Sequence, residues 1–242
     1  MTNSTPANGW KRVVVKLSGE ALMGDGQHGL DAPTLARIAR DLAVAAGSGV
    51  EIAVVVGGGN FFRGIQGADK GIERARADSI GMLATVMNGL ALEQAIEAQG
   101  RQARALSSVP MPSICESYSR RAALHHLAKG RVVICAGGTG NPFFTTDTGA
   151  ALRAAELSAD AVFKATQVDG VYTADPKKDP SARRYEVLTH DEAIAKNLAI
   201  MDTAAFALAR ENKLPIVVFS IREEGAISAT LSGLGRATHV VP

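Results

Sequence analysis

An α/β fold, with a mainly parallel central sheet covered by helices on both faces, is what this 242-residue sequence predicts. Three observations carry that expectation. Val13-Val14-Val15, Val50 to Val56 apart from Glu51, and Val132-Val133-Ile134-Cys135-Ala136 are apolar, as suits strands buried on both sides in a parallel sheet. Segments with helical spacing separate them, the alternation that right-handed βαβ units produce. Three strand runs also end in glycine, at Ser18-Gly19, Gly57-Gly58-Gly59 and Gly137-Gly138-Thr139-Gly140. In open α/β sheets, ligands collect outside such carboxyl ends.

Each element has its own local reason. Lys11 to Leu17 forms the first strand. Asp31 caps a helix reaching about Ala46, with Pro33 in its first turn, an apolar face of Leu35, Ile38, Ala39 and Leu42, and Gly47-Ser48-Gly49 as its stop. Val50 to Val56 is the second strand. Ile72 to Gln99 is a long helix, with Ile80, Leu83, Val86, Met87, Leu90 and Ile96 at helical periods; Met82 and Met87 belong to core or to a subunit interface. Gln102 to Ser107 is a strand, Val109-Pro110-Met111-Pro112 a loop, and Ser117 to Ala128 a helix leading into the central strand at Val132. Thr145, Thr146 or Asp147 then caps a helix through Leu157. Asp160 to Thr166 is a further strand. Helices at Asp191 to Leu198 and Asp202 to Arg210, a strand at Ile216 to Phe219, a helix at Gly225 to Leu231 and a strand at Thr238 to Val241 complete the chain. No repeat or low-complexity linker divides it, so residues 10–242 read as one domain behind a polar, disordered tail of residues 1–9.

Composition narrows the function classes. With 46% hydrophobic and 21% charged residues the chain has an ordinary soluble make-up. A net charge of +2 supplies no basic field for nucleic acid. No apolar run is long enough to span a membrane, and the polar start lacks a signal-peptide core. Cys115 and Cys135 show no metal or CxxC spacing and read as buried thiols of a reducing compartment, which places the protein in the cytoplasm.

The chemistry-bearing residues cluster at the glycine-rich strand ends. Glycines let a backbone approach a ligand closely, and a helix opening after Gly140 turns free N–H groups and a positive dipole end back on that loop, a ready anion site. Packing alone seldom requires all three of Gly57, Gly58 and Gly59, whereas a phosphate held by main-chain amides does. Lys16 can reach a phosphate as a point charge, though taken alone it reads better as a solvated surface lysine. Arg63 follows the triple glycine, placed to neutralise charge between two phosphates. Asp78 can accept from a sugar's hydroxyls, or be merely solvated. Lys164 lies at a strand end near phosphate, Tyr172 offers a ring with a polar tip, and Asp175 a ribose or adenine partner. Gly24 to Gly29 matches G-x-G-x-x-G only formally, since it does not follow the strand directly and lacks the later acidic residue. P-loop, protein-kinase and nucleophile-elbow motifs are absent.

Taken in order, these stretches resemble the amino-acid kinase superfamily and, within it, the bacterial uridylate (UMP) kinases, over nearly the whole chain from Lys11 to Val241. The resemblance rests on Lys16-Leu17-Ser18-Gly19-Glu20-Ala21-Leu22, Gly57-Gly58-Gly59-Asn60 with Phe62-Arg63-Gly64, and Gly81-Met82-Leu83-Ala84-Thr85-Val86-Met87-Asn88-Gly89-Leu90. Gly140-Asn141-Pro142-Phe143-Phe144-Thr145-Thr146-Asp147 and Val168-Asp169-Gly170-Val171-Tyr172-Thr173-Ala174-Asp175-Pro176 complete it. It implies a three-layer sandwich, ATP-dependent phosphorylation of UMP to UDP in pyrimidine nucleotide biosynthesis, Mg²⁺ accompanying ATP, and a homohexamer. By the same resemblance Lys16, Leu17, Ser18, Gly19, Gly59, Arg63, Thr166, Gln167, Tyr172 and Asp175 would hold ATP. Gly58, Asp78, Thr139, Gly140, Asn141, Pro142, Phe143, Phe144, Thr145 and Thr146 would hold UMP.

Because the acceptor is itself a phosphate with a second pKa of about 6, it attacks as an oxyanion and needs no strong base. Catalysis is then positioning and charge screening by Lys16, Arg63, loop amides and Mg²⁺, with in-line transfer. Asp147 and Asp202 would orient Lys16 or the hydrated metal, helix capping being the equal alternative, and no direct protein ligand to the metal is expected. GTP activation is frequent in the family, but Glu93 and Glu97 stand where basic residues are usual, leaving Arg104 and Arg131, so GTP control is expected to be weak, altered or absent. Three rivals remain: a kinase acting on a carboxylate or carbamate, an ATP-dependent oxoanion store, and, weakest, a dehydrogenase.

Overall fold

A computed structural model describes residues 9–62, 71–176, 178–198 and 200–242. Nine strands, β1 (Arg12–Leu17), β2 (Glu51–Val56), β3 (Ala103–Ser107), β4 (Glu116–Ser117), β5 (Val132–Ala136), β6 (Ala161–Thr166), β7 (Val187–Thr189), β8 (Ile216–Ser220) and β9 (Ala237–Val241), make one sheet in the order β4-β3-β5-β2-β1-β6-β8-β9-β7. Pairing is parallel throughout except between β8 and β9. The described helices are α1 (Ala32–Gly47), α2 (Arg74–Glu97), α3 (Arg120–Ala128), α4 (Thr146–Leu157), α5 (His190–Ala195), α6 (Thr203–Glu211) and α7 (Ala226–Leu231), with a 3-10 turn at Gly19–Leu22.

The sheet separates two cores. Val13, Val15 and Leu17 pack with Ile38 and Leu42 of α1, Leu92 and Ile96 of α2 and Ile227 of α7. Val14 faces the other way, with Ala123 and Leu127 of α3, Ala150 and Ala154 of α4 and Phe206 of α6. Period-two alternation therefore sends Lys16 to the same side as Val14, toward α4 and α6. Across the β1–β6 pair Lys16 stands in register with Lys164, whose strand neighbour Val162 lies in that second core. The chain steps outward from β1 through β2 and later returns on the opposite side of β1 as β6. That reversal leaves a crevice at the carboxyl ends of β1, β2, β5 and β6, the usual ligand position in such sheets.

Two short strands, β4 and β7, were not expected; at two and three residues they carry too little pattern to be read. The helix read as starting at Ser117 begins after β4, at Arg120, where Ser119 accepts a hydrogen bond from the Ala122 amide. On α2 the helical spacing misleads: Val86 and Ile96 are buried, whereas Leu83 and Met87 are 46% and 51% exposed.

Candidate active site

The centre of the crevice is a three-residue charge cluster. Two ammonium groups in register on neighbouring strands repel each other, and α4 sends a carboxylate between them: Asp147 Oδ1 lies 2.8 Å from Lys16 Nζ and Oδ2 lies 2.6 Å from Lys164 Nζ. Lys164 Nζ also donates to the Ile200 carbonyl, at 2.5 Å. Burial by itself would raise the Asp147 pKa; the two cations outweigh it and hold the carboxyl below its ordinary value. Burial is the main reason the Lys164 pKa is lowered, with Lys16 adding to the effect and Asp147 opposing it. The cluster keeps one more positive than negative charge at a nearly dry strand end.

Asp202 has a different task. Its carboxylate accepts from Thr145 Oγ1, from Thr148 Oγ1 at 3.0 Å and from the Ala205 amide at 3.0 Å. It caps α6 while gripping the first turn of α4, whose own cap is Thr145. Asp202 thus positions the helix that carries Asp147, and its contacts are those of a cap. Among the described residues no group of three or more His, Cys, Asp or Glu side chains could hold a metal ion.

Beside this cluster opens a cavity of about 580 Å³, walled on one side by Gly58, Gly59 and Phe62, on another by α2 through Arg74, Asp78, Gly81, Met82 and Thr85, and on a third by the loop after β5. Side chains of α2 hold that loop from a distance in sequence: Thr85 Oγ1 accepts from Gly137 N at 2.7 Å and Asp78 Oδ2 from Phe143 N at 2.8 Å. Arg74 Nε in turn donates to both Asp78 oxygens, at 3.0 and 2.9 Å. Asn88 and Asn60, both buried, exchange amide hydrogen bonds, and Asn88 Nδ2 also reaches the Gly57 carbonyl at 2.7 Å. Two of the three glycines there answer to packing. A Cβ on Gly57 would sit 3.0 Å from the Gly19 amide, and one on Gly58 2.8 Å from both Ala84 Cβ and the Gly81 carbonyl. At those two positions the β1 and β2 loops, and the β2 loop and α2, approach backbone to backbone.

The loop after β6 is more open. Thr166 Oγ1 bonds within its own turn to Val168, Tyr172 hydroxyl donates to Asp169 at 2.6 Å, and Gln167 accepts from Arg222 Nε at 2.9 Å. Asp175 is exposed, 4.0 Å from Lys178. Gln167 and Arg222 border a second hollow of about 620 Å³, shared with Glu20 and Arg37.

The sequence profile of the amino acid kinase family matches residues 11–220. The chain belongs to the amino acid kinase family. Its relatives include the uridylate kinase of Azorhizobium caulinodans, 62% identical over 237 residues and covering 98% of this chain and 100% of that one. The uridylate kinase of Agrobacterium fabrum is 59% identical, covering 99% of each. Among solved structures, the UMP kinase from Ureaplasma parvum superposes with a TM-score of 0.92 at 34% identity, over 97% of this chain and 100% of that one. The UMP kinase from Bacillus anthracis gives 0.92 at 38%, over 96% of both.

In this amino acid kinase the expected residues divide sharply. Gly58, Asp78, Thr139, Asn141, Phe144, Thr145 and Thr146 line the 580 Å³ cavity, together with Gly59. Gly140, Pro142 and Phe143 do not line it: Gly140 is seated against Ser108, and Phe143, at φ 71°, offers its amide to Asp78 while its ring is 65% exposed. The Leu17 side chain is buried in the first core, so only its backbone faces the rim, and its carbonyl already accepts from Gly57 N. Ser18 caps the turn through Ala21 N. Arg63 lies outside the described residues. Sequence reasoning missed Arg74, Thr85 and Glu20; only Arg74 had a local signal, standing four residues before Asp78 on one helix face.

Proposed function

We propose that this chain is a uridylate kinase, moving the γ-phosphoryl group of ATP directly to UMP to give UDP and ADP. The observation carrying this reading is the adjacency of the 580 Å³ cavity, with Asp78 and the Thr139 to Thr146 loop in its wall, to the Lys16–Asp147–Lys164 cluster. UMP occupies that cavity, with Asp78 toward its sugar. ATP lies along Lys16 to Gly19 and Gly59, reaching toward Thr166, Gln167, Tyr172 and Asp175. The acceptor phosphate, largely dianionic near neutrality, needs a cation and an approach line more than a base.

Lys16 supplies the cation. Asp147 holds it against Lys164, and Asp202 holds the helix that carries Asp147. Mg²⁺ accompanying ATP would supply further positive charge to the triphosphate. With both Asp147 oxygens on lysines and both Asp202 oxygens on hydroxyls, these carboxylates would meet the ion through its water shell. Arg63 is proposed as a second cation at the transferred group, and Arg63→Ala should lower kcat about 10³-fold; near-normal turnover would remove it from the mechanism.

Self-association into a homohexamer is supported by the exposed Leu83 and Met87 on α2 and is checked by molar mass in solution. Residues 10–242 are read as one kinase domain on the single sheet from β1 to β9, and the reduced thiols of Cys115 and Cys135 suit the cytoplasm. No described helix is long and apolar enough to cross a membrane. As for GTP, Arg104 is 2.7 Å from Glu97 and 3.9 Å from Glu93, so its charge is already answered within the chain. A GTP titration of the rate is expected to show little or no activation.

The deciding experiment is a panel of UMP, CMP and AMP with ATP and Mg²⁺. UMP should be turned over preferentially; equal rates with CMP would overturn the assignment.

A further inference from the structure

We infer that Arg153, which does not line the acceptor cavity, is a positioning residue that with Ser108 aims the Thr139 backbone amide at the acceptor nucleotide. This rests on the uridylate kinase reading for the ligand's identity. Arg153 lies on α4 and is 3% exposed. Its guanidinium is clamped by two residues that are themselves joined: Nη1 donates to Glu156 Oε2 at 2.5 Å, Cζ sits 3.8 Å over the Tyr118 ring, and the Tyr118 hydroxyl closes the triangle on Glu156 at 2.6 Å. The free end, Nη2, points at the acceptor loop, donating to Ser108 Oγ at 2.9 Å and to the Gly138 carbonyl at 3.3 Å. Ser108 Oγ donates to the same carbonyl at 3.1 Å.

Two donors therefore pin one carbonyl in a loop with little stiffness of its own. Gly138 holds positive φ, so the peptide between Gly138 and Thr139 is preceded by a residue that could turn its carbonyl over cheaply. A trans peptide points its C=O and N–H in opposite directions, and no cis bond occurs among the described residues. With the carbonyl held on the Arg153 side, the Thr139 N–H faces away from it. Gly138 and Thr139 both line the cavity, so that N–H becomes a donor for an oxygen of the acceptor nucleotide. Ser108 fixes the rest of the turn: a Cβ on Gly137 would come within 2.9 Å of its amide, and one on Gly140 within 3.3 Å of its Cβ.

The guanidinium is a poor choice for stability alone. Its Nε is buried without a hydrogen-bond partner, and buried charges of this kind are often no better than apolar residues of similar size. Holding one peptide in one orientation is work that an apolar residue cannot do.

The test compares Ser108→Ala, Arg153→Met and Arg153→Lys with wild type by KM for UMP, KM for ATP, kcat, melting temperature and the ¹H–¹⁵N resonance of the Thr139 amide. Arg153→Met should raise KM for UMP roughly tenfold with KM for ATP unchanged, Ser108→Ala should do so less, and Arg153→Lys should recover part of the loss. The Thr139 resonance should move in each. If Arg153→Met does not fold, Ser108→Ala decides. An unchanged Thr139 resonance and KM for UMP in folded Ser108→Ala, or an equal rise of both KM values, overturns the inference. A wild type inactive on UMP would instead overturn the functional reading, and the Thr139 resonance would still judge the positioning role.

Discussion

The proposed acceptor cavity and the proposed donor rim are made from the same parts, parallel strand ends running into glycine-bearing loops, yet they are held by different balances of long-range and local bonds. On the acceptor side the tethers span the chain: Phe143 to Asp78 across 65 residues and Gly137 to Thr85 across 52. On the donor side, Thr166 bonds to Val168 and Tyr172 to Asp169, only 2 and 3 residues apart. Long-range tethers tie loop shape to the packing of α2 against the sheet. Local ones move with the loop. The loop after β5 is thus shaped by α2, while the loop after β6 adds to its local bonds two ties to the far edge of the sheet, Gln167 accepting from Arg222 across 55 residues and the Val171 amide donating to Thr238 Oγ1 across 67. Between them stands the lysine pair bridged by Asp147.

The sharpest way to break this picture is at that junction. Lys16→Met should lower kcat by about 10³-fold, the scale for deleting a group aimed at developing charge, with much smaller changes in either KM. A variant with near-normal kcat would show that the junction is only a structural ion pair. Asp147→Asn should fall in the same direction but less far, since it frees the two ammonium groups without deleting either.

Next in size are two substitutions that should separate the halves. Asp78→Asn removes charge from a carboxylate that holds the loop and is proposed to meet the sugar, and is expected to raise KM for UMP about tenfold, the worth of a hydrogen bond to a charged group, with KM for ATP unmoved. Tyr172→Ala should do the reverse and more weakly, raising KM for ATP about fivefold for one lost ring contact. Steady-state kinetics with each substrate varied in turn checks both. If Asp78→Asn raised both constants alike, the two sides would be one coupled site rather than two separable ones.

That contrast also explains what could be read in the sequence. The rim was legible because β-branched runs and glycine ends are local signals, and the order of the loops brought Asp78, Thr139, Asn141 and Thr145 into one wall. Asp31, Thr145 and Asp202 declared themselves as helix starts because capping is local too. Arg153, Thr85 and the Asn60–Asn88 pair were invisible, since each matters through a partner 15 to 52 residues away. The α2 face misread for the same reason: spacing reveals which residues share a side, but not what lies opposite. Gly58 was singled out for a ligand, yet the space it spares is filled by Ala84 and Gly81, which sequence order alone could not reveal.

The smallest effect expected is on stability, and it tests the junction without catalysis. The Asp147 carboxyl has a folded pKa below its ordinary 3.8, so the unfolded chain binds more protons through that window and stability must rise with pH across it. Asp147 therefore contributes fully above about pH 4 and loses its contribution as pH falls through the folded value. Lys164 adds an alkaline counterpart: with its folded pKa below 10.5, holding it protonated in the fold is unfavourable, and that penalty is relieved as pH rises toward the unfolded value. The melting-temperature gap between wild type and Asp147→Asn should be constant near neutrality, a few degrees for about 1 kcal/mol in a chain this size, and should shrink below about pH 4. A gap that stayed level down to about pH 3 would mean that the bridged carboxylate gains nothing from its two lysines in the fold, and the junction would lose its electrostatic basis while the acceptor cavity kept its own.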